Sequence, residues 1–350
     1  MEEKKNRYGF IDAIRGLAAM AVVIEHASEN WLHNTSHWPT EVFSFGMFGV
    51  VSFLFVSGFV VPFSLERSKS LKAFWKGRFF RLYPLYWFSI LVMVPILLGS
   101  PPIDGFDPSN FWHWLINFTM LQQFVGVGHA QNSYWTLTLE LVLYATFSVL
   151  FLMGFLRKSL LIGWLVAGMS LLVGALVPLA LHHRLPGGSS GGYIMCYLTA
   201  FVGIVAFRFF RGEATLKAAA AYAAASYLVG LSICVVLYLR LRSPSVPISF
   251  EAAVLSWSAA YAFLLIMMLL RNREMPVALT FLGRISYSIY LLHRIPMTFL
   301  PEKIPGVVYV LLVCIFSAGI SALTYYVIEA PAERFGKRMH PKAKALPEAI

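Results

Sequence analysis

Charged side chains are scarce in this sequence. Only 13% of its 350 residues are Asp, Glu, Lys or Arg, about half the share of an average soluble domain. Cysteine is also rare, and Cys196, Cys234 and Cys314 lie far apart within apolar runs. This spacing excludes a disulfide framework and the usual zinc motifs, so we predict no metal site. A cleavable signal peptide is not expected either, because the first apolar run carries Asp12 and Arg15 and lacks a clear small-residue cleavage site.

Apolar side chains dominate instead. Hydrophobic residues make up 58% of the chain, and the mean hydropathy is +0.69. So many apolar groups need a lipid environment, and the runs are continuous rather than alternating, which favours helices over a barrel. We predict an all-α integral membrane protein with a single membrane-embedded domain, residues 1–350, that ends in a short basic tail, 329–350. About ten spans are expected, near 10–30, 43–65, 82–100, 133–155, 159–181, 193–210, 218–239, 250–270, 281–300 and 306–328.

The formal net charge of +11 has a topological explanation. Lys and Arg concentrate at both termini and in the loops that follow even-numbered spans, whereas the other loops carry few. By the positive-inside rule, this distribution predicts cytoplasmic N- and C-termini. The excess positive charge then faces anionic lipid headgroups, and no nucleic-acid partner is inferred.

The first span, "DAIRGLAAMAVVIEHA", contains Asp12, Arg15, Glu25 and His26. Charge within lipid is costly and usually marks a functional site or a buried partner. Arg15 and His26 are three helical turns apart, so they project from one face, separated by roughly 16 Å along the axis. Asp12 is the expected partner of Arg15. Snorkelling and ordinary packing explain these groups equally well on sequence alone, and Glu25 has no assigned role.

Glu140 lies about a third of the way into the fourth span, "SYWTLTLELVLYATF". A carboxylate at that depth needs a partner, and His26 is expected at a similar depth. The sequence therefore predicts a His26–Glu140 pair, in which the carboxylate orients a general base. A buried structural hydrogen bond is the alternative.

Arg78 and Arg81 lie three residues apart in "FWKGRFFRLYPLYW", just before the third predicted span. On a helix they flank one face, and two guanidinium groups at a membrane surface can bind phosphate. The alternative is a basic membrane anchor with an aromatic belt.

The ninth span, "LGRISYSIYLLHRIP", has polar residues on one helical face at Ser286, Tyr290 and His293. Tyr287 and Arg294 form a second stripe. Such stripes favour a cavity within the protein, with interhelical hydrogen bonding as the alternative.

Six segments, taken in order, resemble the acyltransferase-3 family of membrane acyltransferases: "IDAIRGLAAMAVVIEHA", "FLFVSGF", "RFFRLYPLYW", "SYWTLTLELVLYATF", "ISYSIYLLH" and "IEAPAERFGKR". The resemblance implies about ten spans and transfer of an acyl group from cytoplasmic acyl-CoA to a hydroxyl of a carbohydrate or glycan. Acetyl is the default acyl group, so acetyl-CoA is the expected co-substrate, with no permanently bound cofactor. We expect a location in the bacterial inner membrane.

The resemblance also implies roles for particular residues. The family pattern of a basic residue, ten intervening residues and a His falls on Arg15 and His26, so His26 inherits the catalytic role. The family's R-x-x-R pair falls on Arg78 and Arg81, which implies contacts to CoA phosphates. The acidic residue of its W-T-L-x-x-E motif falls on Glu140. In the mechanism we expect, Arg15 lines the path of the pantetheine arm.

The chain departs from the family pattern at Glu25, where an apolar residue is expected. We expect no hydrolase-like domain after the last span, and the resemblance then implies the stand-alone branch of the family. The outer segment 101–132 is aromatic and rich in amides, so we expect it to contact a glycan acceptor, although an interfacial belt would look similar. The expected substrate pocket is lined by Asp12, Ser286, Tyr287, Tyr290 and His293, with Ser286 or Tyr290 as oxyanion donors.

Other classes of function remain open on sequence alone. No Ser or Cys stands in a recognisable nucleophile motif, so direct attack by the acceptor is favoured over a covalent acyl-enzyme. A multi-span transporter with an intramembrane ionisable relay is the main alternative. A membrane scaffold without a ligand is the third. Consumption of acyl-CoA would distinguish the first class from the other two.

Overall fold

The predicted all-α membrane fold is confirmed. The computed structural model describes residues 8–32, 41–68, 70–183, 190–241, 248–301 and 303–339, which are almost entirely helices and their connections. The α-helices used below are α1 Gly9–Trp31, α2 Phe45–Arg67, α3 Leu71–Leu97, α4 Phe111–Asn117, α5 Trp135–Leu152, α6 Ser159–Leu171, α7 Val177–Leu181, α8 Ser190–Phe210, α9 Leu216–Cys234, α10 Phe250–Leu269, α11 Val277–Arg284, α12 Ser286–Leu292, α13 Arg294–Phe299, α14 Gly306–Thr324 and α15 Ala330–Arg338. Wide π-helical turns extend three of them at Leu172–Leu176, Val235–Arg240 and Tyr325–Glu329.

Eight helices within the described residues are long and apolar enough to cross a membrane. They account for all the predicted spans except the first and the ninth. The first predicted span is one continuous helix, α1, but its ionisable groups set it apart from the apolar helices. The ninth was expected as one helix near 281–300 and is instead divided into α11, α12 and α13. The divisions fall at Ile285 and His293, the residues that separate the three helices.

The third span begins eleven residues before the predicted boundary at 82. Ser70 caps its start, because the Ser70 hydroxyl oxygen accepts a hydrogen bond from the backbone N–H of Ala73 at 3.2 Å. Arg78 and Arg81 are therefore part of α3 rather than of a preceding loop. The polar and basic composition of the first turns hid this extension from a hydropathy reading.

The chain divides into two compact units. The larger unit consists of Met1–Pro62 and Leu139–Ser321, and the smaller unit of Phe63–Thr138 and Ala322–Ile350. The single-domain assignment made from the sequence stays a prediction.

In the larger unit, α1 packs closely against α11 through two glycines. A Cβ atom on Gly16 would lie 2.8 Å from the backbone nitrogen of Gly283. A Cβ atom on Gly283 would lie 1.9 Å from the backbone oxygen of Asp12. Only glycine permits this approach, which resembles the small-residue contacts common between membrane helices. This contact places α1 beside α11, and the chain continues from α11 into α12 and α13.

The other end of α1 is fixed by polar side chains. The indole N–H of Trp31 donates to the carbonyl of Ile304 at 2.8 Å, and the Asn30 amide donates to the Tyr309 hydroxyl at 2.9 Å. These bonds attach α1 to the segment that leads into α14. Both ends of the helix that carries His26 are therefore anchored within the larger unit.

The smaller unit joins α3 to α15. Phe80 and Phe335 pack edge to face with ring centroids 5.4 Å apart. Gly336 lies against Phe80, where a Cβ atom would come within 2.8 Å of the phenylalanine Cβ. The same unit holds α4, because the Tyr86 hydroxyl donates to the carbonyl of Asn117 at 2.7 Å.

Candidate active site

Two histidines meet in the larger unit. Nδ1 of His26, on α1, lies 2.8 Å from Nε2 of His293, between α12 and α13. Their rings are stacked, with centroids 5.1 Å apart and an interplanar angle of 22°. His293 is fully buried, whereas His26 is partly exposed. The pair therefore has a fully buried inner member, His293, and a less buried outer member, His26.

The hydrogen bonds define the proton positions of a neutral pair. Nδ1 of His293 lies 2.8 Å from the carbonyl oxygen of Tyr290, and since a carbonyl only accepts, this nitrogen carries the proton. Nε2 of a neutral His293 must then accept, so Nδ1 of His26 donates to it. Nε2 of His26 is left with a free lone pair. Such a nitrogen can take a proton from a hydroxyl group.

The interruption of the helix between α12 and α13 places His293 where it can bond to His26. The helix α12 ends at Leu292, and the backbone N–H of His293 still bonds to the carbonyl of Ile289 at 3.1 Å. The ring of Tyr290 packs edge to face on Phe53, with centroids 5.8 Å apart. The last turn of α12 thus holds His293 in a fixed orientation toward α1.

Glu140 has a different partner from the one expected. The Tyr144 hydroxyl donates to Oε1 of Glu140, one turn away on α5. The hydrogen-bond partner of His26 is His293, so the predicted His26–Glu140 pair is replaced by two separate bonds. A neighbour on the same helix satisfies the carboxylate at a lower entropic cost than a distant residue would. A catalytic role for Glu140 stays a prediction.

Glu25, which the sequence left unexplained, binds the start of α2. Its Oε2 accepts a hydrogen bond from the backbone N–H of Gly46 at 2.9 Å, and its Oε1 accepts from the Ser44 hydroxyl at 3.1 Å. The Ser44 oxygen in turn accepts from the N–H of Met47 at 3.0 Å. A carboxylate at a helix N-terminus is favourable because it meets unpaired N–H groups and the positive end of the dipole. Glu25 therefore fixes the stretch of α1 that carries His26.

The remaining predicted pocket residues lie along α1 and α12. The Ser286 hydroxyl donates to the carbonyl of Gly283 at 2.9 Å, so its proton is already engaged where the ninth span breaks. Asp12 and Tyr287 are buried, and Arg15 lies three turns before His26 on the continuous helix α1. Their roles in substrate binding, and the pairing of Asp12 with Arg15, stay predictions.

A basic cavity lies in the smaller unit. It has a volume of about 210 Å³ and is lined in part by Ser64, Ser68, Arg78, Arg81 and Lys337. Arg78 is buried, and its guanidinium group lies over the ring of Phe74, 5.1 Å from the centroid. Burial of the Arg78 side chain and its contact with the Phe74 ring hold the guanidinium in place. Less side-chain entropy is therefore lost when an anion binds.

One carboxylate balances part of the charge in this cavity. Glu333 on α15 lies 3.9 Å from Nη1 of Arg81 and 3.8 Å from Nζ of Lys337. With Arg78, the cavity thus has three cationic side chains and one anionic side chain. This excess of positive charge suits a phosphate or pyrophosphate group.

The comparisons with known proteins agree with this geometry. The sequence profile of the acyltransferase-3 family, described as an acyltransferase domain, matches residues 8–326. The chain belongs to the acyltransferase-3 family. Membership favours a membrane acyltransferase over the transporter and scaffold alternatives, and it confirms the resemblance inferred from the sequence motifs.

Several curated proteins are similar in sequence to this chain, and two of the three described here are named as acetyltransferases. Nodulation protein 10 of Rhizobium leguminosarum bv. viciae is 31% identical over 40% of this chain and 43% of its own length. ORF330 of Acidianus two-tailed virus, described as a candidate acetyltransferase, is 25% identical over 88% of both chains. The peptidoglycan O-acetyltransferase OatA of Listeria monocytogenes is 29% identical over 42% of this chain and 24% of its own length. The match thus spans less than half of two of these relatives, and no solved structure matches the chain.

The outer segment forms an ordered structure around Asn117. The Asn117 side chain donates to the carbonyl of Gly128 at 3.0 Å and accepts from the N–H of Ala130 at 2.9 Å. Between them, His129 accepts a hydrogen bond from the Gln122 amide at 2.7 Å. Burial lowers the pKa of His129 to about 4, so its ring is neutral at neutral pH. These bonds order the segment internally, and its contact with an acceptor stays a prediction.

Sequence reasoning missed part of each of these two sites. The tail, 329–350, was predicted only as a short basic segment, whereas Glu333 and Lys337 within it line the basic cavity. Their spacing of four residues was the available signal, since it places both on one face of a helix. His293 was assigned to a pocket, but its bond to His26 joins residues 267 positions apart and has no local signature. Among the described residues, no cluster of three or more His, Cys, Asp or Glu could hold a metal ion.

Proposed function

We propose that this protein transfers an acyl group, by default acetyl, from acyl-CoA to a hydroxyl group of a carbohydrate or glycan. His26 acts as the general base. The observation that best supports this proposal is the 2.8 Å bond between His26 and His293, which leaves Nε2 of His26 free to accept a proton. We further propose that the protein resides in a bacterial inner membrane.

The reaction needs no covalent enzyme intermediate. Nε2 of His26 takes the proton of the acceptor hydroxyl while its oxygen attacks the thioester carbonyl, which forms the new C–O bond and a tetrahedral oxyanion. The oxyanion then collapses, the C–S bond breaks, and the CoA thiolate takes the proton from His26. The products are an ester and free CoA. As positive charge develops on His26, the bond from Nδ1 to His293 stabilises it.

The basic cavity supports acyl-CoA as the donor. CoA carries a pyrophosphate and a 3′-phosphate, and Arg78, Arg81 and Lys337 offer three cationic donors around one space. Glu333 is already close to two of these cations, so a bound phosphate would take over part of its role. Guanidinium and ammonium groups bind such phosphates through charge-assisted hydrogen bonds.

A carbohydrate acceptor is supported by the relatives and by the outer segment. One relative is named a peptidoglycan O-acetyltransferase. The outer segment exposes Phe111, Trp112 and Phe124, and aromatic side chains of this kind pack against the faces of sugar rings. Neither observation selects a particular hydroxyl group or glycan.

The proposal is tested with purified protein in lipid nanodiscs. [14C]acetyl-CoA is supplied with soluble oligosaccharides of N-acetylglucosamine and N-acetylmuramic acid, and both free thiol and labelled sugar are measured. We expect thiol release and an alkali-labile label on the sugar in equal amounts. The same assay is repeated with a broad panel of hydroxyl acceptors. Binding of acetyl-CoA without release of CoA, with every acceptor tested, would contradict the proposed function.

A further inference from the structure

Arg294 lies beside His293 of the histidine pair, and one of its N–H donors is unused. It follows His293 directly and begins α13. Its Nε is buried and has no hydrogen-bond partner among the described residues. The charge of its guanidinium acts electrostatically on both His26 and His293, and Glu29 on α1 is the acidic group that acts on it.

A buried guanidinium with an unused N–H donor is costly. Removing a donor from water without replacing its hydrogen bond costs about 1–3 kcal/mol. Arg294 also carries a positive charge next to the group that must become positive during proton transfer, which works against His26. Both costs are offset if a negative charge appears at the same place during the reaction.

We propose that Arg294 is a further catalytic residue, which donates a hydrogen bond to the oxyanion of the tetrahedral intermediate formed at His26. This inference rests on the proposed function. In the step concerned, the acceptor oxygen adds to the thioester carbonyl and the carbonyl electron pair moves onto oxygen. The N–H donor of Arg294 then stabilises that oxygen until the C–S bond breaks and the carbonyl forms again. No redox partner or additional reactant is required.

The other candidate donors are less suitable. The Ser286 hydroxyl already donates to the carbonyl of Gly283. Arg15 lies three turns from His26 along α1, roughly 16 Å away. The Tyr290 hydroxyl can donate a hydrogen bond but carries no positive charge, and the Tyr290 backbone carbonyl only accepts, from His293. Arg294 combines a positive charge, a buried Nε–H without a hydrogen-bond partner among the described residues and a position next to His293, which bonds to the base.

The test compares Arg294→Met and Arg294→Lys in the full-length protein. Loss of one oxyanion donor lowers kcat by about 100-fold or more. We expect this decrease in thiol release from acetyl-CoA for Arg294→Met, with the KM for acetyl-CoA unchanged. Arg294→Lys should retain part of the rate, and added guanidinium ion should partly restore the Arg294→Met enzyme. Arg273→Met, at an exposed arginine of the same unit, is the matched control and should behave as wild type.

Other outcomes would overturn the inference. If Arg294→Met lowers the melting temperature strongly and guanidinium restores stability rather than kcat, the residue is only structural. If the variant raises the KM for an acidic acceptor but leaves turnover of neutral acceptors intact, Arg294 binds an anionic acceptor instead. Wild-type kcat in Arg294→Met would also refute it. The proposed function itself fails only if the wild-type protein releases no CoA, so the two failures are distinguishable.

Discussion

Replacing His293 should slow acyl transfer without removing the base. In His293→Phe, the ring volume is roughly kept but the acceptor for the Nδ1–H of His26 is lost. A buried donor left without its partner costs about 1–3 kcal/mol. If this cost applies at the transition state, where His26 gains its positive charge, kcat should fall by about 5- to 150-fold.

The matched variant for this prediction is His293→Gln. A glutamine Oε1 can take the place of the histidine Nε2 and accept from His26, so most of the lost rate should return. The assay is thiol release at saturating acetyl-CoA, with thermal unfolding of each variant measured in parallel. Two results would refute the reasoning: wild-type kcat in His293→Phe, or equal loss in the phenylalanine and glutamine variants at equal stability.

Two further predictions concern the donor site and the support of α1. Arg78→Gln should raise the KM for acetyl-CoA by about tenfold or more with little change in kcat, because a charged hydrogen bond to phosphate is lost. The control is Arg67→Gln, at an exposed arginine. An unchanged KM would show that the basic residues of the cavity serve only as a membrane anchor. Glu25→Ala should lower the free energy of unfolding by about 2 kcal/mol, since the Gly46 N–H and the Ser44 hydroxyl lose their acceptor, whereas Glu25→Gln should lose less. Equal melting temperatures for the two Glu25 variants and the wild-type protein would show that this bond contributes little.

The sequence predicted the helical membrane fold well because hydropathy is a local property. Long apolar runs predict membrane helices directly, and eight of the predicted spans are long apolar helices in the structure. The exceptions arise where local composition and structure diverge. Ser70 extends α3 through residues that hydropathy assigns to a loop, and the ninth span breaks at His293, a residue that the helical pattern placed on a regular face.

The candidate site was predictable in part for the same reason. The spacing of Arg15 and His26 is a property of one helix, and α1 is continuous. The partners of His26 and Glu140, in contrast, depend on which helices pack together. A carboxylate near a histidine is a reasonable expectation from charge alone, but Tyr144 was one turn from Glu140 and competed for it. The close contact through Gly16 and Gly283, which brings α1 to the ninth span, has no signal in hydropathy or charge.

Removal of the acceptor's proton by His26 is the step on which the proposed mechanism depends. Its most direct test is the rate of labelled acetyl transfer by His26→Gln, compared with wild type, in protein shown to be inserted and folded by its melting temperature. The glutamine can accept or donate hydrogen bonds but cannot act as a base near neutral pH. We expect transfer and CoA release to fall to background while acetyl-CoA still binds at the cavity of Arg78. Transfer by His26→Gln at the wild-type rate would contradict this mechanism.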